Sequence, residues 1–193
     1  VVVEDRRSGD DRVDVDLELP RGGGATVAVA DDVEDACKPS GGAGRLARPV
    51  ADAAEALTLP LRDRLNEAAL LGVRIGIGEM ILNAVEHGNL GISTAEKEQA
   101  LADGRFPGLV ASRLAMPQNA GKRVWIESRL ADGEFRVTVR DEGAGFDWRA
   151  LAAADPAATL AGRGVLLARF HFDEVRWNER GNEVTLVKRI PVL

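Results

Sequence analysis

A single cysteine, Cys37, among 193 residues excludes an internal disulfide. The first residues also lack the charged-then-apolar segment of a secretory signal, so a reducing cytoplasm is the expected compartment. No unbroken apolar stretch approaches the roughly 20 residues of a membrane-spanning helix, which argues against a chain embedded in a bilayer. Basic residues number 25 against 31 acidic ones, for a net charge of -6, and they form no stripe that could track phosphates along a duplex. Nucleic acid is therefore not an expected partner. There is no internal repeat and no low-complexity block, and the chain opens on Val1 instead of Met, which reads as a piece of a longer protein.

What is present is the make-up of an ordinary globular domain, 45% hydrophobic and 29% charged. The length suits one domain with an appendage. Residues 1–12 read as a tail or linker, and 13–193 as the domain. Val13, Val15, Leu17 and Leu19 alternate with acidic residues as in a half-buried edge strand that stops at Pro20. Ala25 to Ala30 could pair back on it, and Lys38 to Gly44 should be loop. A helix over Pro49 to Leu57 is followed, past Pro60, by a longer one from about Leu61 to His87. Ser93 and Glu96 make a capping box for a helix over Thr94 to Ala102, with weaker helix up to Pro117. Two hairpins follow: Arg123 to Leu130 with Phe135 to Arg140 around Asp132-Gly133, and Glu174 to Asn178 with Val184 to Ile190. Between them a helix of about ten residues starts near Gly164.

Three clusters carry chemistry. Glu79, Asn83, Glu86 and His87 share one flank of the long helix, where alone they read first as the exposed face of an amphipathic helix. Asp141 ends a strand before Gly143 and Gly145, a loop that is either an ordinary turn or a place where a ligand can approach the backbone closely. Gly162-Arg163-Gly164 opens a helix, as a simple helix start does, but also as an anion site does, with free amides and a guanidinium. His171 and Phe172 read as a helix end or core edge, and Trp125, Trp148 and Trp177 as packing residues.

Order and placement join the three. The run from Glu79 through Asn83 and His87 to Asn89 resembles the N box of GHKL ATP-binding domains, the superfamily of gyrase, chaperone and histidine-kinase ATPases. Asp141 to Asp147 resembles its G1 box, and Gly162 to Gly164 its G2 box. The likeness covers about residues 60–193, with a helical insertion at about 93–120. It implies an α+β fold: a two-layer α/β sandwich of Bergerat type, with a mixed, mostly antiparallel sheet and helices on one face. Within the superfamily, His87-Gly88-Asn89 and the Gly181 to Lys188 strand are most similar to anti-sigma-factor serine/threonine kinases. The Gly91 to Lys97 segment resembles versions found at the C-terminus of regulators that also carry receiver and serine phosphatase domains.

Carried over by position, the resemblance implies ATP and Mg²⁺ as cofactors. Asp141 would accept from the adenine amino group, Gly143 and Gly145 would let the backbone pass beside base and sugar, and Thr185 would support the adenine end. Asn83 would hold the Mg²⁺, and Glu79 would orient or deprotonate an attacking hydroxyl. Gly162, Arg163 and Gly164 would hold the phosphates under a lid at Ala150 to Leu160. His87 belongs to the same nucleotide site, though as a side chain it also reads as a helix cap. The implied partners are a sigma factor, its anti-sigma-factor antagonist, a second copy in a homodimer, or an adjoining receiver or phosphatase domain. The rival reading is a non-catalytic nucleotide-binding module that controls a partner. An autonomous histidine kinase is disfavoured, because no histidine precedes Pro49.

Overall fold

The computed structural model describes residues 12–18, 42–153 and 163–191. The expected strand at Ala25 to Ala30, Cys37, Gly162 and the lid beyond Ala153 lie outside the described residues. Five strands form one sheet in the order β1-β2-β3-β5-β4: Arg12–Glu18, Arg123–Ala131, Glu134–Arg140, Glu183–Arg189 and Glu174–Trp177. Every described pairing is antiparallel, so the mixed sheet expected from the resemblance is wholly antiparallel in this part of the chain. As expected, β1 is an edge strand. The β2–β3 turn places both Asp132 and Gly133 at positive φ, 53° and 75°, the geometry for which Asp-Gly is favoured in tight hairpins.

Strand alternation divides the sheet into a wet and a dry face. Val124, Ile126, Leu130, Phe135, Val137, Val139, Val184 and Leu186 are buried, while Glu127, Arg129, Arg136 and Arg140 are exposed. The dry face packs against α1 (Gly42–Leu57), α2 (Glu67–Asn83) and α6 (Arg163–His171), and α4 (Phe106–Leu114) joins the same core against α1. The expected two-layer α+β sandwich with helices on one face is borne out. Each fully buried aliphatic or aromatic side chain in it contributes about 1.5–3 kcal/mol.

Several helix boundaries differ from the sequence reading. Pro49 lies inside α1, which begins at Gly42, within the expected loop. Proline signals a helix start because it lacks an N–H, but the apolar stripe of Val50, Ala53, Ala54 and Leu57 continues back through it to the buried Leu46, and that burial carries the helix on. The expected Leu61–His87 helix is broken: Leu59–Leu61 is a 3₁₀ turn, and α2 starts only after Asn66, whose side chain accepts from the Ala69 N–H at 2.8 Å. Beyond Asn83 the helix widens into a π turn over Ala84–Asn89. The run Glu67–Asn89 is 23 residues of mean hydropathy 1.5, long and apolar enough by length and composition to cross a membrane. Arg74, Glu79 and Glu86 hide that length from a search for unbroken apolar stretches. Here it is the central core helix, with Val73, Ile77, Met80 and Ile81 buried. The capping box on α3 (Thr94–Ala102) forms as expected.

Two glycines of α2 let α6 come close. A side chain at Gly72 would collide with the His171 ring, and a Cβ at Gly76 would sit 2.9 Å from the Phe172 ring and 3.3 Å from the Ala168 backbone. We predict that Gly76→Val costs about 2 kcal/mol by overpacking this seam. Gly78→Ala, whose added Cβ meets only Val50 at 3.7 Å, should gain about 0.5–1 kcal/mol from helix propensity. Urea unfolding of the two variants checks the opposite signs.

Candidate functional site

The site is built where the central strands end. Asp141 follows β3, and its backbone is fixed on both sides by Asn182: the Asp141 N–H donates to the Asn182 carbonyl at 3.0 Å, and Asn182 Nδ2 donates to the Asp141 carbonyl at 2.9 Å. The carboxylate is buried against the backbone of Gly88 and accepts the Gly143 N–H at 2.7 Å through Oδ1. No described residue donates to Oδ2, which leaves one acceptor for a ligand. Burial pushes the Asp141 carboxyl up to about 6; the Gly143 bond and the charges of Arg180 and Lys122 favour the carboxylate and offset this only in part. Gly145 and Gly181 interlock the two loops at this end. Both have positive φ, 81° and 78°, and a side chain on either would strike the backbone of the opposite loop, at Arg180 and Phe146. Arg180 spans them, with Nη2 donating to the Gly143 carbonyl at 3.0 Å.

The π turn forms the facing wall. Asn89 is fully buried, gives its amide to the Arg123 carbonyl and accepts the Glu142 N–H, both at 2.9 Å. His87 Nδ1 lies 2.5 Å from the Ile92 carbonyl. Because a carbonyl can only accept, Nδ1 carries the proton. One turn earlier, Asn83 is half-buried with no hydrogen bond to a described residue, and Glu79 is likewise half-buried and unbonded. They meet the start of α6: a Cβ built on Gly164 would lie 2.5 Å from Glu79 Oε2 and 3.4 Å from Asn83 Nδ2. Only glycine lets the helix N-terminus, with its free amides, sit against this pair. Arg163 is exposed at the same turn.

Between these walls lies a cleft of about 370 Å³, within the range of small-molecule sites. Asn83, His87, Asp141 and Gly145 line it, while Glu79, Arg163 and Gly164 adjoin it through Asn83 without lining it, as does Gly143 through Asp141. Thr185 is misplaced in the sequence reading. Its side chain is on the wet face, 3.4 Å from the Thr138 hydroxyl, because Val184 and Leu186 take the dry positions of the same strand. Asn182 is the residue that supports Asp141. The sequence carries it only inside the Gly181 to Lys188 likeness, with no site role, because that role comes from strand register, which sets it opposite the end of β3. Glu86, expected on the polar flank, is buried and bonded to Lys97 at 2.5 Å, since the π turn rotates it away from the α-helical stripe. Trp177 does more than pack: it lines the cleft with Phe146, and its ring stacks on Trp148 at 6.2 Å between centroids.

A family model for the histidine kinase-like ATPase domain matches residues 43–188. The chain belongs to that family, and the GHKL type expected from the three motifs is borne out. An ATPase domain binds ATP; the cleft supplies the Asp141 acceptor and a glycine loop that a ligand can approach closely, and the start of α6 adjoins it at Asn83. No curated protein matches the chain.

The proton on Asp141 has a measurable consequence. In the unfolded chain an Asp titrates near 3.9; in the fold it titrates at about 6. The folded state therefore holds the proton more tightly. The stability this contributes is full below about pH 4 and is lost as pH rises through about 6. We predict that the unfolding free energy of wild type falls relative to that of Asp141→Asn across this window. Urea titrations at stepped pH read it, and parallel pH profiles would contradict it.

Proposed function

We propose that the domain is an ATP-dependent protein serine/threonine kinase of the anti-sigma-factor type. Its substrate in this reading is an anti-sigma-factor antagonist, and phosphorylation switches partners so that a sigma factor is held or released in the cytoplasm. The observation that carries the reading is the convergence of Glu79, Asn83 and the Gly164 turn, with neither polar side chain bonded to a described residue. A half-buried carboxylate and carboxamide left open beside a helix N-terminus suit phosphoryl transfer better than nucleotide storage. The resemblance of the His87-Gly88-Asn89 and Gly181 to Lys188 segments to anti-sigma-factor kinases supports the choice of substrate. Association as a homodimer, or with an adjoining receiver or phosphatase domain, belongs to the same reading.

The residues fit a magnesium ion held with the nucleotide. No group of three His, Cys, Asp or Glu that could hold a metal occurs among the described residues. A hard cation that keeps its waters and takes most other ligands from phosphate needs only one protein oxygen, which the Asn83 amide offers. Bound there, Mg²⁺ would neutralise charge on the phosphates. Glu79 accepts the proton of the substrate hydroxyl as that oxygen bonds to the γ-phosphorus. The bond from the γ-phosphorus to the bridging oxygen breaks, and ADP leaves with that electron pair. The amides at the start of α6 and Arg163 steady the transferring phosphoryl group.

Glu79→Gln should lower phosphate transfer to the cognate antagonist by about 10²–10⁴-fold and leave ATP affinity within a few-fold. Radiolabel transfer and calorimetry with ATP and Mg²⁺ measure the two. Undiminished transfer would remove Glu79 from the reaction. Tight ATP binding by wild type with no transfer to the antagonist would favour the non-catalytic module.

A further inference from the structure

The segment between the π turn and β2 does more than bridge them. Gly91, Ile92, Ser93 and Thr94 line the cleft, on the same side as His87 and Gly88. Their position is fixed from several directions. The Ile92 side chain is buried, its N–H donates to the Glu86 carbonyl at 2.9 Å, and its carbonyl accepts from His87. The Glu86 carboxylate, 4% exposed, is bonded to Lys97 on α3 at 2.5 Å, and Lys97 also stands over the Phe106 ring of α4. Ser93 is closed into the capping box with Glu96, which is paired with Arg113 of α4. A half-buried ion pair is a costly device for a surface loop, because the Glu86 carboxylate loses its water to make it while Lys97 stays partly exposed. Here it fixes the register of a four-residue edge against a ligand cleft.

That edge meets one end of the cleft only. Gly88, next to His87, abuts Asp141, whereas Glu79 lies more than two helical turns back along the helix, against Gly164 of α6. The edge thus faces the nucleoside, not the phosphates. Thr94, the first residue of α3, is exposed, and its hydroxyl makes no hydrogen bond to a described residue. We propose that residues 91–94 are the nucleoside-selecting wall of the cleft, with the Thr94 hydroxyl bonding a polar group of the base or ribose and the Glu86–Lys97 pair acting as the positioning strut. This rests on the cleft being a nucleotide site, and it adds determinants of nucleoside choice that the three motifs do not contain.

The test is equilibrium titration of the whole chain with ATP, 2′-deoxyATP and GTP, with unfolding midpoints taken in parallel without nucleotide. Thr94→Val keeps the shape and removes the hydroxyl, and should weaken ATP binding by about three- to ten-fold. If the partner is the ribose 2′-hydroxyl, the loss is absent for 2′-deoxyATP; if it is the base, the preference for ATP over GTP narrows. Lys97→Met should narrow that preference too, and Lys97→Arg should retain it, a readout that a purely structural strut would not move. ATP binding by wild type with all affinities and ratios unchanged in Thr94→Val and Lys97→Met would overturn the wall alone. Wild type that binds none of the three nucleotides would overturn the nucleotide reading, and the wall with it.

Discussion

The cleft depends on how one side chain, Asn89, is satisfied. It is fully buried, and a carboxamide in that position must find donors and acceptors or cost the fold its desolvation. It finds them in the carbonyl of Arg123 at the start of β2 and in the N–H of Glu142 just past β3, while the Asn89 backbone carbonyl accepts from Lys122 at 2.6 Å. Three elements distant in sequence are thereby drawn to one point. The end of the central helix is stitched to the ends of two neighbouring strands, and the gap that the stitching leaves is the cleft.

Irregular backbone concentrates there too. The π turn, the positive-φ glycines 145 and 181, and the packing of Gly88 against Asp141 all border the cleft, whereas the rest of α2 and the strand interiors are regular. Regular elements satisfy their own amides, so a site that must offer free groups to a ligand is built where regularity stops. The raised pKa of Asp141 has the same origin. Its carboxylate is sunk beside the Gly88 backbone, and the Gly143 hydrogen bond and the charges of Arg180 and Lys122 offset that burial only in part.

The strands, hairpin turns and capping box were legible because each rests on local chemistry: alternation in β2 and β3, Asp132-Gly133 at positive φ, and Ser93 with Glu96. Asn83, Asp141 and Gly145 were legible because the motif fixes their types and spacing. What escaped depended on contacts between distant segments. Pro49 stays inside a helix because Leu46 is buried by elements far along the chain. Thr185 faces the wet side because register with Thr138 decides it, and sequence spacing does not reveal which face of the final strand is dry. Asn182 matters only because β5 lies beside β3.

The chain contains no tyrosine and three tryptophans. Trp148 and Trp177 are stacked on one another, Phe146 meets Trp177 edge-on at 6.1 Å, and Trp177 borders the cleft. Trp125 is on the wet face of the sheet, under the Arg140 guanidinium at 4.7 Å. The native emission of the domain thus comes from two settings: a coupled pair beside the cleft and a lone ring on the opposite side of the sheet. The fold carries its own optical reporter of cleft occupancy together with a built-in reference, and no attached dye is needed to follow a ligand entering.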